Sequence, residues 1–360
     1  MEYYIFVTND CNLNCEYCSV LIKNEKHNIP KEPIYSLDEL NSFIYQTQIK
    51  HNDDCADIVF FGGEPTLNYS YIRTVIESHE KLQEMPYKFK YMLHTNGLEL
   101  GIIPDDILLR INTIMLSINY DMIPHAQLND GYFKQIADSI NIIRHKRNIP
   151  IIGRLTITEN TSLYSEIALF NVMFDAIYWQ IENCYSFQNY SKFYDSYSYE
   201  LKLVFDLWMS YLRKGIVLNL IPFIAAINFA QQKEVPSSFC CGYNNSIIFI
   251  QTDGLCYTCA EDMTNTHNLI GSITKGVTFD AFNINNTKCS SCEYVYICQG
   301  RCGRMHKEFR LEHIEEYCKL NKFMFDLIID NIKEINLIIQ KYNLSLDINE
   351  TMYHYTEYTP

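Results

Sequence analysis

Thr8–Cys18 reads TNDCNLNCEYC: it closes the apolar run that starts at Tyr3 and carries Cys11, Cys15 and Cys18 in a C-x3-C-x2-C spacing. Thiolates are soft ligands, and thiolate-held iron–sulfur clusters usually take four of them. Three on one loop leave a position open, which points to chemistry at a vacant iron rather than plain electron storage. Downstream, the apolar run IVFF leads into GGEPT at Gly62–Thr66. Its glycines permit a tight turn and a close approach of backbone to a ligand. The order and separation of the two motifs make chance a poor account of both.

Outward from these motifs, apolar runs alternate with helical patterns as far as about residue 225, the rhythm of a parallel sheet with covering helices. Strands are expected at Tyr3–Thr8, Asp57–Phe61, Lys88–Thr95, Thr113–Asn119, Ile151–Thr158 and Ile177–Glu182. Helices are expected at Leu37–Lys50, Tyr71–Gln83, Tyr132–His145, Leu163–Phe174 and Tyr199–Arg213. Six strands suit a partial (β/α)6 TIM-like barrel, an α/β fold in which both motifs fall at the carboxyl ends of strands, where parallel architectures bind ligands.

The chain has 360 residues, 48% of them hydrophobic, enough for more than one core. A formal net charge of -14 opposes a nucleic-acid partner and favours a basic or neutral peptide. The start MEYYIFVTND lacks the features of a signal peptide. The longest greasy stretch, Gly215–Ala230, is broken by Asn219, Pro222 and Asn228 and predicts no membrane span. A cytoplasmic protein is expected, and its 14 cysteines then argue for metal or redox chemistry over disulfides. Nine of them crowd between Cys240 and Cys318, which marks a second domain. The expected organisation is a barrel over residues 1–225, a cysteine-rich domain over 226–320, and a C-terminal helix and tail over 321–360, with helical periodicity from Phe323 to Lys341.

These motifs resemble the radical S-adenosylmethionine (SAM) superfamily. The resemblance implies a SAM-binding 4Fe-4S cluster on Cys11, Cys15 and Cys18, with SAM chelated at the open iron. It places Tyr17 beside the adenine and gives the amino group of SAM to the turn Gly62, Gly63, Glu64 and Pro65, with Glu64 as electrostatic helper. Thr95, Asn96, Ser117 and Arg154, each read as closing a strand, resemble the rest of the SAM cradle; Asn119 stands where many relatives have aspartate. The second cysteine group resembles the SPASM extension of peptide-modifying radical SAM enzymes, which implies two auxiliary 4Fe-4S clusters. Carried over, Cys289, Cys292, Cys298 and Cys318 would bind the distal cluster, covered by Arg301 and Arg304, and Cys302 would join Cys259 at the proximal one. Cys240 or Cys241, with Cys256, would complete that site. Taken alone, the paired C-x2-C spacing also suits structural zinc.

For the substrate side, Cys184 follows the sixth strand and reads either as a hydrogen-atom donor or as a buried thiol. Gln180 and Glu182 alternate with apolar neighbours and face the barrel interior, to orient substrate or to hydrogen-bond across the core. Tyr185, Tyr190, Tyr194, Tyr197 and Tyr199 read either as the lining of a peptide groove or as a partly exposed aromatic loop packing between domains. The resemblance as a whole implies a maturase that oxidises a ribosomally made precursor peptide by a crosslink, thioether or related change. Its partners would be that peptide, a one-electron reductant such as flavodoxin or ferredoxin, and a separate leader-binding protein if the barrel surface does not suffice, since only ten residues precede the first cluster cysteine. A sulfatase-maturing enzyme and a non-enzymatic iron–sulfur carrier are the rival readings; the carrier leaves GGEP unexplained.

Overall fold

In the computed structural model, which describes residues 1–15, 17, 18, 28–82, 85–119, 131–182, 187–239, 241, 243, 245–263, 267–279, 282–307, 311–346 and 358–360, the expected strands all form. They are β1 (Glu2–Thr8), β2 (Cys55–Gly62), β3 (Lys88–Thr95), β4 (Thr113–Ser117), β5 (Ile151–Ile157) and β6 (Ala176–Ile181). Between and after them run α1 (Leu37–His51), α2 (Tyr69–Lys81), α3 (Gly131–Lys146), α4 (Leu163–Phe170), α5 (Tyr190–Leu212) and α6 (Ile221–Gln232). Ile5, Phe6 and Val7 on β1 and Ile58, Val59 and Phe60 on β2 are all buried, so both faces are covered, the condition under which strands read as continuous apolar runs. At α1, Ser36 and Glu39 form a capping box and Asn52 closes the helix in the left-handed conformation. This is the parallel α/β class of the partial barrel.

The chain divides into two compact units: Met1–Ser117 with Ile123–Pro150 and Gly242–Ala281, and Ile118–Met122 with Ile151–Cys241 and Phe282–Pro360. In the first unit β1, β2, β3 and β4 pair in parallel in that order. On the other side of β1 lies β7 (Ile247–Ile250), also parallel, with Glu2 opposite Ile247 and Ile5 opposite Ile250. β8 (Leu255–Tyr257), β9 (Leu269–Ser272) and β10 (Gly276–Val277) continue outward as an antiparallel meander. The first stretch of the cysteine-rich region is thus an extension of the parallel sheet. Its signal was present: the apolar run IIFI, the turn residues Thr252, Asp253 and Gly254, and then LCY make a hairpin, with Gly254 left-handed at φ 82°.

In the second unit β5 and β6 pair in parallel, Arg154 opposite Tyr178 and Thr156 opposite Gln180. Residues 219–220 cover the far edge of β6: the Ile177 amide donates to the Asn219 carbonyl, and Asn219 Nδ2 donates to the Asp175 carbonyl. The greasy stretch after them forms α6, with Pro222 in its first turn, where a missing N–H costs nothing. The tyrosine segment is not a loop. Tyr190, Tyr194, Tyr197 and Tyr199 lie on α5, which begins nine residues before the expected start at Tyr199, and the Tyr197 hydroxyl accepts from Trp179 Nε1. Tyr185 lies outside the described residues. The last helix, α7 (Leu311–Tyr342), begins well before Phe323 and carries Cys318; it packs on α5 through the Arg213–Glu334 ion pair and on α6 through Gln231 and Asn336. Among the described residues no helix is long and apolar enough to cross a membrane.

Candidate active site

The loop that follows β1 is gripped by backbone. A Cβ on Gly62 would sit 2.1 Å from the Thr8 carbonyl oxygen, and one on Gly63 would sit 2.2 Å from that of Asp10. Only glycine lets the end of β2 lie this close to the start of the cysteine loop. The contact is made by the Gly63 amide donating to the Thr8 carbonyl and the Glu64 amide donating to the Asp10 carbonyl.

Glu64 then joins the second loop to the third. Its side chain is 1% exposed. Oε1 accepts from the Thr66 amide at 3.0 Å and from the Thr66 and Thr95 hydroxyls at 2.6 Å; Oε2 accepts from the Asn96 amide at 2.7 Å. Burial pushes its pKa up, opposed by these donors. Asn96 carries the connection on to the cysteine loop, its Nδ2 donating to Asn12 Oδ1 at 2.8 Å and lying 3.9 Å from Cys11 Sγ. Pro65 is buried at the first position of the short 3-10 turn that follows.

Burial holds two of the three thiols, Cys11 and Cys15, protonated. Burial is the main cause that raises the Cys11 and Cys15 pKa values, Cys15 to about 12; neighbouring cysteine charge adds to both, Glu64 to Cys11, and a hydrogen bond from Tyr17 opposes the shift at Cys15. Thiols of this kind ionise when a metal takes the place of the proton. All three lie on the loop that follows β1, and three thiolates on one loop are a donor set that suits an iron–sulfur cluster. Ser117, the last residue of β4, has its Oγ 2.9 Å from His94 Nε2. His94, which sequence analysis missed, sits in a strand run that reads simply as apolar.

On β5, Arg154 is the fourth residue and therefore mid-strand, not at the strand end as expected. Its guanidinium donates to Gln180 Oε1, which occupies the polar group expected to orient substrate. The Glu182 amide donates to the Ile157 carbonyl, and its own carbonyl accepts from the Tyr317 hydroxyl. Asn119 donates through Nδ2 to the Thr156 carbonyl at 2.8 Å and accepts from the Thr156 amide through Oδ1 at 2.9 Å. An aspartate could accept but not donate there, which explains the asparagine. Cys184 lies outside the described residues.

The second cysteine group lines one cavity of the second unit, with Cys289, Cys292, Cys298, Cys302 and Cys318 around it. Between Cys298 and Cys302 the backbone turns through three successive left-handed residues, Gln299, Gly300 and Arg301. A Cβ on Gly300 would meet Ile284 at 2.7 Å and Phe239 at 2.8 Å. Burial is the main cause raising the pKa values of Cys289 and Cys318; the Thr287 hydroxyl opposes it at the first, Arg301 and Lys288 at the second. His306, also missed, follows Cys302 by four residues and lies 3.3 Å from Cys289 Sγ through Nε2. Cys241, buried in the same unit, accepts from the Gly303 amide at 3.5 Å. Cys256, fully buried, and Cys259, half-buried, belong to the first unit. Cys240 lies outside the described residues. Among the described residues no three His, Cys, Asp or Glu side chains converge as one metal ion would require.

Residues 5–151 match the family model described as the radical SAM superfamily. Over a 370-residue alignment the chain is 23% identical to the radical SAM cyclopropyl synthase TigE of Paramaledivibacter caminithermalis, covering 92% of this chain and 74% of that protein. Among solved structures, it resembles histidine-tagged anSMEcpe with bound AdoMet at a TM-score of 0.73 and 17% identity, over 99% of each chain. It also resembles native anSMEcpe with bound AdoMet and Cp18Cys peptide at a TM-score of 0.71 and 18% identity, over 94% of this chain and 99% of that one. Residues 5–151 thus carry a radical SAM domain, and the chain is an enzyme.

Proposed function

We propose that this enzyme is a peptide maturase that cleaves SAM reductively and abstracts a hydrogen atom from a residue of a ribosomally made peptide, leaving an oxidative modification such as a crosslink or thioether. The observation that carries the reading is the clasp of three strand-end loops, in which Glu64 and Asn96 tie GGEPT and Thr95–Gly97 to the loop of Cys11, Cys15 and Cys18. A 4Fe-4S cluster bound by those cysteines would supply the electron that splits SAM into methionine and a 5'-deoxyadenosyl radical. Because both carboxylate oxygens of Glu64 are engaged within the chain, its effect on SAM runs through the placement of the two loops. Tyr17, Ser117 and Arg154 complete the proposed cradle; Gln180, Glu182 and Cys184 are the proposed residues on the substrate side.

The cavity lined by five cysteines supports auxiliary iron–sulfur clusters in the C-terminal extension, a SPASM domain in this reading. Five cysteines on one cavity exceed the four that a single zinc ion takes. Cys289, Cys292, Cys298 and Cys318 would hold the distal cluster; Cys259, Cys302, Cys256 and Cys240 or Cys241 the proximal one. Similarity to a cyclopropyl synthase over 92% of the chain supports bond formation at a substrate carbon as the outcome. The net charge of -14 favours a peptide with Lys or Arg, in a cytoplasm that supplies a flavodoxin- or ferredoxin-type reductant. The test is co-expression with a candidate precursor peptide followed by mass spectrometry: loss of hydrogen mass localised to one residue pair is expected. A formylglycine product on a sulfatase peptide would establish the sulfatase-maturing alternative instead.

A further inference from the structure

We propose that His306 and Arg301 are positioning residues that set the reduction potential of the cluster held by Cys289, Cys292, Cys298 and Cys318, His306 by donating to the Cys289 sulfur and Arg301 as a fixed positive charge. This rests on the reading that those cysteines hold a cluster. A cluster-bound thiolate has no hydrogen of its own, so in the 3.3 Å contact between His306 Nε2 and Cys289 Sγ only the imidazole can donate. The ring is 8% exposed and packs on Phe239 with centroids 5.6 Å apart, which fixes the direction of the donor.

Arg301 is held as firmly. Its backbone is left-handed at φ 47°, its guanidinium lies over the Tyr317 ring at 4.3 Å, and Nε donates to the Pro360 carbonyl at 2.7 Å. That carbonyl also accepts from Asn321 Nδ2, and the Thr359 hydroxyl donates to the Cys298 carbonyl at 2.8 Å. Residues 359–360 therefore tie Arg301 to the backbone of a proposed ligand. Of the neighbouring cations, Lys288 is paired with Glu315 at 3.1 Å on the surface, and Lys322 lies over the Tyr294 ring at 5.0 Å. Arg301 is the cation braced at the cavity wall. Reduction adds negative charge to a cluster, so a hydrogen bond to sulfur and a nearby positive charge both stabilise the reduced form and raise the potential.

The test uses the full chain with Cys11, Cys15 and Cys18 changed to Ala, so that the remaining clusters are read alone by potentiometric titration followed by electron paramagnetic resonance. His306→Phe keeps the ring and its packing but removes the donor; His306→Gln keeps a donor. The potential of one cluster should fall in His306→Phe and return towards the parent in His306→Gln. Likewise it should fall in Arg301→Met and return in Arg301→Lys, with iron content constant throughout. A potential that does not move in His306→Phe and Arg301→Met, with iron retained, overturns this inference alone. Loss of iron from His306→Phe overturns it in favour of a structural role. A parent chain that holds no cluster at these cysteines overturns it together with the reading beneath it.

Discussion

The loop of Cys11, Cys15 and Cys18 and the cavity of Cys289, Cys292, Cys298 and Cys318 present the same thiols and hold them by opposite means. The first is held by backbone and by one buried carboxylate: Gly62 and Gly63 lie against the carbonyls of Thr8 and Asp10, and Glu64 collects four donors. None of the described residues that line the second lies in a strand. Its shape comes from a left-handed turn and from side chains, Arg301 over Tyr317 and His306 against Cys289. The electrostatics differ in the same sense. Glu64 disfavours further negative charge at Cys11, whereas Arg301 and Lys288 favour it at Cys318. A parallel sheet fixes the ends of its strands without help, so a site built there tolerates a carboxylate at its back; a site built off the sheet depends on the charged groups that shape it.

The largest test of this contrast changes Cys11, Cys15 and Cys18 together to Ala. Production of 5'-deoxyadenosine should be abolished, while iron falls by only about a third if each region binds cubane clusters as proposed. Residual SAM cleavage would show that the first region is not the site.

Next come the glycines. In Gly63→Ala the new methyl meets a backbone carbonyl that cannot yield, whereas in Gly300→Ala it meets the side chains of Ile284 and Phe239, which can shift. Overpacking costs about 1–3 kcal/mol where neighbours relax and more where they cannot; the left-handed turn, φ 77° at Gly300, adds about 1–2 kcal/mol. Denaturant unfolding should rank Gly63→Ala as the more damaging. The reverse order would mean that the first loop is not backbone-held.

Glu64→Gln probes the clasp. One amide hydrogen pair would face donors that now point at a carboxylate, a loss of about 1–3 kcal/mol. SAM affinity should fall about tenfold, since 1.4 kcal/mol is a factor of ten. Isothermal titration with SAM checks it; unchanged affinity together with unchanged stability would remove the clasp from the account.

The smallest effect is a pH dependence confined to the scaffold of the first region. His79 stacks on Phe89 with centroids 4.0 Å apart, bonds the Tyr91 hydroxyl through Nδ1 at 3.1 Å, and leaves Nε2 buried without a partner. Burial lowers its pKa from 6.5 to about 3. The unfolded chain therefore takes up a proton below about pH 6.5 that the folded chain refuses, and stability falls with decreasing pH by up to about 1.4 kcal/mol per unit until about pH 3. His79→Leu should flatten that part of the curve in unfolding measurements made from about pH 7 down to 5. An equal slope in the variant would place the acid sensitivity elsewhere.

Whatever depends on near neighbours is legible along the chain: the three-cysteine loop, GGEPT closing an apolar strand, and the alternation of buried strands and amphipathic helices that makes the sheet parallel. Those patterns are local, and a period of two or 3.6 residues suffices to read them. The hairpin of β7 and β8 was equally local, yet the crowd of cysteines around it obscured an ordinary turn signal. Which groups meet across the chain is visible in the folded molecule alone. Asn9 donates to Gln251 and Thr252, more than two hundred residues away, where the cysteine-rich segment joins the sheet beside β1. Glu64 reads as a free carboxylate until Thr95 and Asn96 fill its oxygens. Arg301 is legible as a cover for the distal cysteines, but its bracing by Tyr317 and Pro360 and the approach of His306 to Cys289 appear only in the fold. A hydrogen bond leaves no periodicity in the sequence of either partner, so such pairings appear only once the backbone has brought donor and acceptor within reach.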